Sequence, residues 1–461
     1  YTSQSMIGGT LSSDLGDYGI KLPGAKSGVG IAFGFESRKD ELQLDTDSSF
    51  TTGDLAGQGG PTIGVAGTVK VKDYFLEGRV PILEGQHMAH LLSVNGSYRR
   101  SDYDSEKTNS FGLGIEWAPT KKVKLRGSYQ EAVRAANVIE LFTPQGLGLY
   151  NNDADPCAGA TPTRSLADCA RTGVTAAQYG RIVDSAAGQY NGLFGGNPNL
   201  KPETAKSQTL GLVLEPTRDL SFTFDYFNIK VEDVIGNAPP TTILTQCLDA
   251  GQFCNLIQRD QLGTLWATPQ AQIVATNQNL GKLQTSGIDI TANYNHKIKD
   301  YGSLNLNLIG TYLKEYVNEP IPGLGEYDCA GFFGATCGTP LPEWRHKARA
   351  TWNTPWNLDL AVTWRYIGEV KVDSSSSNAL LAGTVPAIDS KMDSVNYIDL
   401  AASWYITKTW SLTGGINNLF DQDPPIVNQT LAGAPFGNGN TYPVVYDALG
   451  RKVFITVTAK F

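Results

Sequence analysis

Val453-Phe454-Ile455-Thr456-Val457-Thr458-Ala459-Lys460-Phe461 decides how this chain is read. Val453, Ile455, Val457, Ala459 and Phe461 share one face of an extended strand, and Phe454, Thr456, Thr458 and Lys460 share the other. Side chains of a strand point alternately to its two faces, so one face here is apolar and the other mostly polar. Such a strand fits a soluble sandwich, where the apolar face meets a core. It fits equally a membrane barrel, where that face meets lipid.

Outward from this stretch the same alternation recurs. Leu304, Leu306 and Leu308 interleave with Asn305 and Asn307. Ile288, Ile290, Ala292 and Tyr294 interleave with Asp289, Thr291, Asn293 and Asn295. Leu358, Leu360, Val362, Trp364 and Tyr366 alternate with Asp359, Ala361, Thr363 and Arg365, and Leu220, Phe222, Phe224 and Tyr226 with Ser221, Thr223 and Asp225. Two features favour the barrel. The runs reach about ten residues, as spanning strands must, where soluble strands average about five or six. Aromatic residues (Trp364, Tyr366, Trp404, Tyr405, Trp410, Tyr312) sit near run ends, where amphipathic rings suit the headgroup level.

The connections alternate in length. Tight turns are predicted at Ala118 to Lys122, Pro216 to Asp219, Thr354 to Trp356 and Thr407 to Thr409, and long loops at about 132–204, 234–273, 317–342 and 369–393. Short turns at one rim and long loops at the other fit an outer-membrane barrel. Sixteen strand segments are assigned: 3–13, 27–38, 67–82, 88–101, 108–117, 121–131, 205–216, 219–231, 274–280, 283–297, 302–315, 344–353, 357–368, 394–406, 409–418 and 448–461.

Composition agrees. The 461 residues contain 50 Gly and 20 Tyr, as a turn-rich, strand-rich chain would, and mean hydropathy is only −0.21. No run reaches the roughly eighteen apolar residues of a membrane helix, but alternating strands keep hydropathy averages low. The net charge of −8 argues against nucleic acid as a partner. The six cysteines form three close pairs, each inside one connection: Cys157 with Cys169, Cys247 with Cys254, and Cys329 with Cys337. Their spacing is not CxxC and no His lies close in sequence, so local disulfides are expected rather than a metal site, in an oxidising compartment.

Several segments, in order, resemble the TonB-dependent outer-membrane receptors. Asn197-Pro198-Asn199-Leu200-Lys201-Pro202-Glu203-Thr204 is similar to the family's N-P-N-L-x-P-E motif. Glu131-Ala132-Val133-Arg134-Ala135-Ala136-Asn137-Val138-Ile139-Glu140-Leu141-Phe142 resembles its F-R-A-P-x-x-x-E-L-F stretch, with Val133 for Phe and Ala136 for Pro. Asp225-Tyr226-Phe227-Asn228-Ile229, Gly287-Ile288-Asp289, Trp344-Arg345-His346 and Arg365-Tyr366-Ile367-Gly368 follow in family order. Gly415-Ile416-Asn417-Asn418-Leu419-Phe420-Asp421 resembles the penultimate-strand G-x-x-N-L-F-D motif, and Phe461 the terminal aromatic that signals membrane insertion.

The resemblance implies an all-β fold: an antiparallel transmembrane β-barrel with long extracellular loops and short periplasmic turns. About 15–16 strands of a 22-stranded barrel would lie in residues 1–461, without the N-terminal plug and first strands, as the C-terminal portion of a longer chain. It implies an active-transport receptor in the outer membrane of a Gram-negative bacterium, importing a ferric siderophore or an oligosaccharide-type ligand with energy from TonB through a plug. Outer-membrane lipid and the barrel-insertion machinery would be further partners. A passive porin-like channel and a surface-binding or adhesin barrel are the alternatives.

Chemistry of other kinds finds little footing. There is no nucleophile elbow, phosphate loop or paired zinc-ligand motif, so neither enzyme activity nor a cofactor is expected. His87, His90, His296 and His346 are the only histidines, and none lies between residues 91 and 295. Haem receptors of the family usually carry a His between the stretches at 131–142 and 197–203, so haem uptake is not expected. Ligand capture falls to loop residues: Tyr150, Arg164, Arg171 and Tyr190 in one loop, and Phe253, Arg259 and Trp266 in the next. Arg with aromatics suits an anionic chelate, and aromatics with Asn and Asp suit sugar rings. Asp153 and Asp155 offer a weaker calcium possibility.

Overall fold

A computed structural model describes residues 1–52, 62–104, 106–385, 387–432 and 437–460. Phe461, the expected insertion signal, lies outside them. Fifteen strands follow one another in an antiparallel meander: β1 (Thr2–Asp14), β2 (Gly30–Leu44), β3 (Val65–Gln86), β4 (Ala89–Tyr103), β5 (Lys107–Thr120), β6 (Val123–Arg134), β7 (Glu203–Thr217), β8 (Leu220–Gly236), β9 (Gln278–Lys297), β10 (Ser303–Glu319), β11 (Trp344–Asn353), β12 (Leu358–Ile367), β13 (Val395–Tyr405), β14 (Trp410–Asn417) and β15 (Lys452–Ala459). Among the described residues β1 and β15 pair with no strand on their outer edges, so the wall is an open arc.

Two sequence assignments are corrected. The segments 274–280 and 283–297 divide differently: residues 278–297 form one strand, β9, because register shifts between Val231 and Ile235 on β8 let the pairing continue past Gly281, and Val274 belongs to a short strand of the loops, Gln272–Val274. The last strand starts at Lys452 rather than 448, since the chain is still turning through Gly450 at φ 64°.

Register puts like with like on each face. Phe33 pairs with Leu11 and Leu76, Leu76 with Tyr98, and Tyr98 with Phe111. At the other end Leu400 pairs with Ile416, and Ile416 with Val453. Val453, Ile455 and Val457 are 71%, 74% and 63% exposed, so this face has no protein core to cover it. Exposed apolar side chains recurring on one face from β1 to β15 mark the lipid-facing side of a membrane wall. The opposite parity is mostly polar, and several of its groups pair across strands: Arg126 grips Asp225 at 2.6 Å, and Thr311 donates to Asp289 at 2.7 Å.

Aromatic residues band the outward face at two levels. Trp117 Nε1 donates to Met88 O at 2.9 Å and Trp352 Nε1 to Tyr301 O at 2.8 Å, both at the rim of short turns. Trp344, Trp364 and Tyr366 surround His346 at the opposite rim. Eight residues separate Trp344 from Trp352, about 26 Å at 3.3 Å per residue, matching an apolar band about 25 Å tall. Gly310 makes the Trp344 ring possible: a Cβ there would lie 2.6 Å from it. Strands β3 and β9 run 22 and 20 residues, so their loop-side ends stand beyond the roughly nine to eleven needed to cross.

Candidate ligand-binding loops

The long connections fold into two lobes at one rim. The first joins residues 135–202 and 237–277. A four-stranded sheet (Gly146–Asn151, Gln189–Phe194, Gln272–Val274, Ile257–Gln258) packs with helices Leu166–Arg171 and Pro240–Ala250 around Tyr190, Ile243, Leu244, Leu265 and Ile273, all 2% exposed or less. Disulfides Cys157–Cys169 and Cys247–Cys254 staple it. The second lobe joins the connections before β11, before β13 and before β15 around Phe333, Val372, Tyr397 and Tyr442, with Cys329 bonded to Cys337. Apolar residues spread over separate loops collect here because the wall offers them no core.

Both lobes are bolted to the inner wall by arginine. Arg134 on β6 bonds Glu203 on β7 through two contacts of 2.6 Å and also reaches Glu140 at 3.1 Å. Glu203 accepts from the Ile235 amide at 2.8 Å, and Glu140 caps its short helix with Asn137 in a reciprocal box. Asn197 donates to Asn277 O at 2.9 Å, and Asn279 bonds both the amide and the carbonyl of Lys201. The two motif stretches at 131–142 and 197–204 therefore form one joint. In the second lobe Arg365 holds Asp399 at 2.9 Å and Asp447 at 2.6 Å, over the Tyr397 ring at 4.7 Å. Asn418, at φ 53°, caps the turn by bonding Gln422 through both ends of its amide.

The loop candidates separate by burial. Arg259 spends its donors inside the first lobe, on Asp155 at 2.5 and 3.0 Å, Thr172 at 2.9 Å and Gly263 O at 2.7 Å. Asp155 is thereby committed to an ion pair rather than to calcium, and among the described residues no His, Cys, Asp and Glu gather as a metal site. Tyr190 donates to Asp184 at 2.5 Å and packs on Tyr150 at 5.7 Å. Burial raises both phenols above their ordinary range. Phe253, at φ 61°, packs on the same core. Arg164, Arg171 and Trp266 keep exposed surface: Arg164 pairs with Asp249 at 2.6 Å, Arg171 donates to Leu248 O at 2.9 Å, and Trp266 Nε1 donates to Val183 O at 3.1 Å.

A further set was not singled out from sequence. Arg345, Lys347 and Arg349 alternate along β11 on the inward parity, all exposed, and among the described residues none has an ion-pair partner within 4 Å. Their signal is in the sequence: cations at every second position of an amphipathic strand.

A family model described as TonB dependent receptor-like, beta-barrel, matches residues 4–419, and the chain belongs to that family. A variant of the ferric enterobactin receptor of Pseudomonas aeruginosa, solved with enterobactin, superposes with a TM-score of 0.61 at 15% identity, covering all of this chain and 54% of that one. The siderophore receptor PirA of Acinetobacter baumannii gives 0.56 at 14%, over 100% and 55%. A protein of Yersinia pestis named hemin receptor is 29% identical over 162 residues, 34% of this chain and 19% of that protein. The chain thus spans about half the length of these solved receptors, and the likeness to them is one of fold.

Proposed function

We propose that the protein is an outer-membrane receptor of a Gram-negative bacterium that imports an anionic ferric chelate, with energy delivered by TonB. The observation that carries the ligand class is the inward row Arg345, Lys347 and Arg349, none of which makes an ion pair within 4 Å among the described residues, Asp399 acting on Lys347 only from a distance while bonded to Arg365. Unpaired cations on a wet inner wall raise the local concentration of anions, which suits a ferric chelate better than a neutral oligosaccharide. Arg164, Arg171 and Trp266 are the loop residues proposed to meet the ligand first.

Because unpaired strand edges are not tolerated in lipid, we further propose that β1 and β15 pair with strands outside these 461 residues, and that the TonB contact belongs to a plug there. The barrel-insertion machinery would read the terminal strand. Haem is the second reading, favoured by the name of the Yersinia relative. Against it, no His occurs from 91 to 295, so a loop-bound haem would need another ligand such as Tyr.

The test is uptake of radiolabelled iron by cells carrying the full gene in place of their own receptors. Each is offered ferric catecholate, ferric hydroxamate or haem, with and without TonB. The proposal expects accumulation of an anionic chelate that stops when TonB is deleted. Entry indifferent to TonB would mean a passive channel, and uptake of haem alone would replace the ligand class.

A further inference from the structure

The outward face carries a charged patch that neither the wall nor the transport proposal uses. It lies at the loop-side ends of β2 to β5, immediately above Phe35, Tyr74, Tyr98 and Phe111. Register places Lys39 directly opposite Lys70, Ser37 opposite Lys72, Lys72 opposite Asp102, and Asp102 opposite Lys107. Arg100 sits one step nearer the aromatic row, opposite Tyr74 and Asn109. These residues share the parity of the lipid-facing side chains.

The patch is unbalanced. Five cations (Lys39, Lys70, Lys72, Arg100, Lys107) share the strand positions with two carboxylates, Glu41 and Asp102, and the exposed Asp104 and Glu106 lie in the connection beside Lys107, with no ion pair to any of the five among the described residues. Lys39 pairs with Glu41, and Arg100 with Asp102 at 3.0 Å. Lys70, Lys72 and Lys107 are exposed and have no ion pair among the described residues. Like charges directly opposite destabilise a sheet, and since Glu41 answers Lys39, the charge left over at this pair is that of Lys70. Elsewhere on the same face the lysines are neutralised: Lys206 and Lys230 share Glu232, and Lys282 holds Glu319. Only the β2–β5 sector, among these, is left seeking anions.

We propose that this sector binds phosphate-bearing lipid headgroups of the leaflet on the loop side, with Lys70, Lys72 and Lys107 as the principal contacts. The site's height fixes the occupant. Aromatic side chains mark the headgroup level, and cations just beyond it meet anionic headgroups rather than acyl chains. The proposal needs the wall to face lipid but is independent of what is transported.

The full-length protein in zwitterionic detergent is titrated with phosphatidic acid or phosphatidylcholine and bound lipid is counted by native mass spectrometry. Phosphatidic acid should bind the wild type roughly tenfold or more tighter than K70Q/K72Q/K107Q. The charge-conserving K70R/K72R/K107R should bind like the wild type, which separates lost charge from a misfolded wall. Phosphatidylcholine should not distinguish the three proteins, and millimolar inorganic phosphate should not displace the lipid. Equal phosphatidic acid binding by wild type and glutamine variant would overturn the proposal. So would failure of the arginine variant to bind, or full displacement by free phosphate.

Discussion

Arg134 and Glu203, 69 residues apart in sequence, face each other across neighbouring strands with two contacts of 2.6 Å. The pair locks the start of the first lobe to the wall, because Glu203 also takes the Ile235 amide and Arg134 also holds Glu140. Arg134→Ala should loosen this joint by about 1–3 kcal/mol, toward the low end because the guanidinium is partly solvated. Hydrogen exchange is the measurement. Faster exchange is expected at residues 137–142 and near Ile235, with β4 and β5 unchanged.

The ion pair of Asp155 and Arg259 is the opposite kind, with both side chains only 2% exposed. Removing one partner strands a buried charge, at about 3–5 kcal/mol. Arg259→Met should therefore make the first lobe protease-sensitive. Adding Asp155→Asn should restore much of the resistance, because the remaining charge is removed. If the double variant is cut as fast as the single one, the pair is not what holds the lobe.

Each disulfide closes a short loop. The 12-residue span of Cys157–Cys169 should contribute about 3 kcal/mol in the chain-entropy description. Mass spectrometry of unreduced peptides should find each of the three pairs joined, and reduction should speed proteolysis of the lobes while the wall survives. Free thiols at Cys157 and Cys169 would contradict the pairing.

Tyr442 is fully buried in the second lobe, donating to Leu431 O at 2.8 Å, and burial pushes its phenol up to about 12. A folded-state value raised above the ordinary 10.0 gives stability that is complete below pH 10 and lost as pH climbs toward 12. Phenolate absorbance should therefore rise in two stages, and Tyr442→Phe should remove amplitude from the later one. Loss of amplitude near pH 10 would mean the side chain is exposed.

The wall was legible in sequence for a physical reason. Alternation with period two is local, so Leu304-Asn305-Leu306-Asn307 already states which face each residue takes. Close cysteine spacing likewise pointed to the local pairs. The lobes were not legible, because Asp155 meets Arg259 across 104 residues and no local pattern encodes that contact. Arg259 and Tyr190 look like ligand contacts in sequence since arginine and tyrosine serve recognition and loop packing equally well. Glu203 stands out in sequence only as part of the 197–204 stretch, because its arginine partner, Arg134, lies on another motif and the amide it accepts from, Ile235, on a third segment. The continuation of β9 back to Gln278 was hidden by a bulge, where the alternation breaks although the pairing does not.

The two faces of the wall differ in what they meet, lipid outside and water inside. Nitroxide labels placed one at a time at Arg345, His346, Lys347, Ala348, Arg349 and Ala350, in the full-length protein in lipid bilayers, test this directly. Collision with a water-soluble nickel chelate should be high at Arg345, Lys347 and Arg349. Collision with oxygen dissolved in the bilayer should be high at His346, Ala348 and Ala350. Loss of this period-two alternation, or its inversion, would contradict a lipid-facing wall with a cation-lined interior.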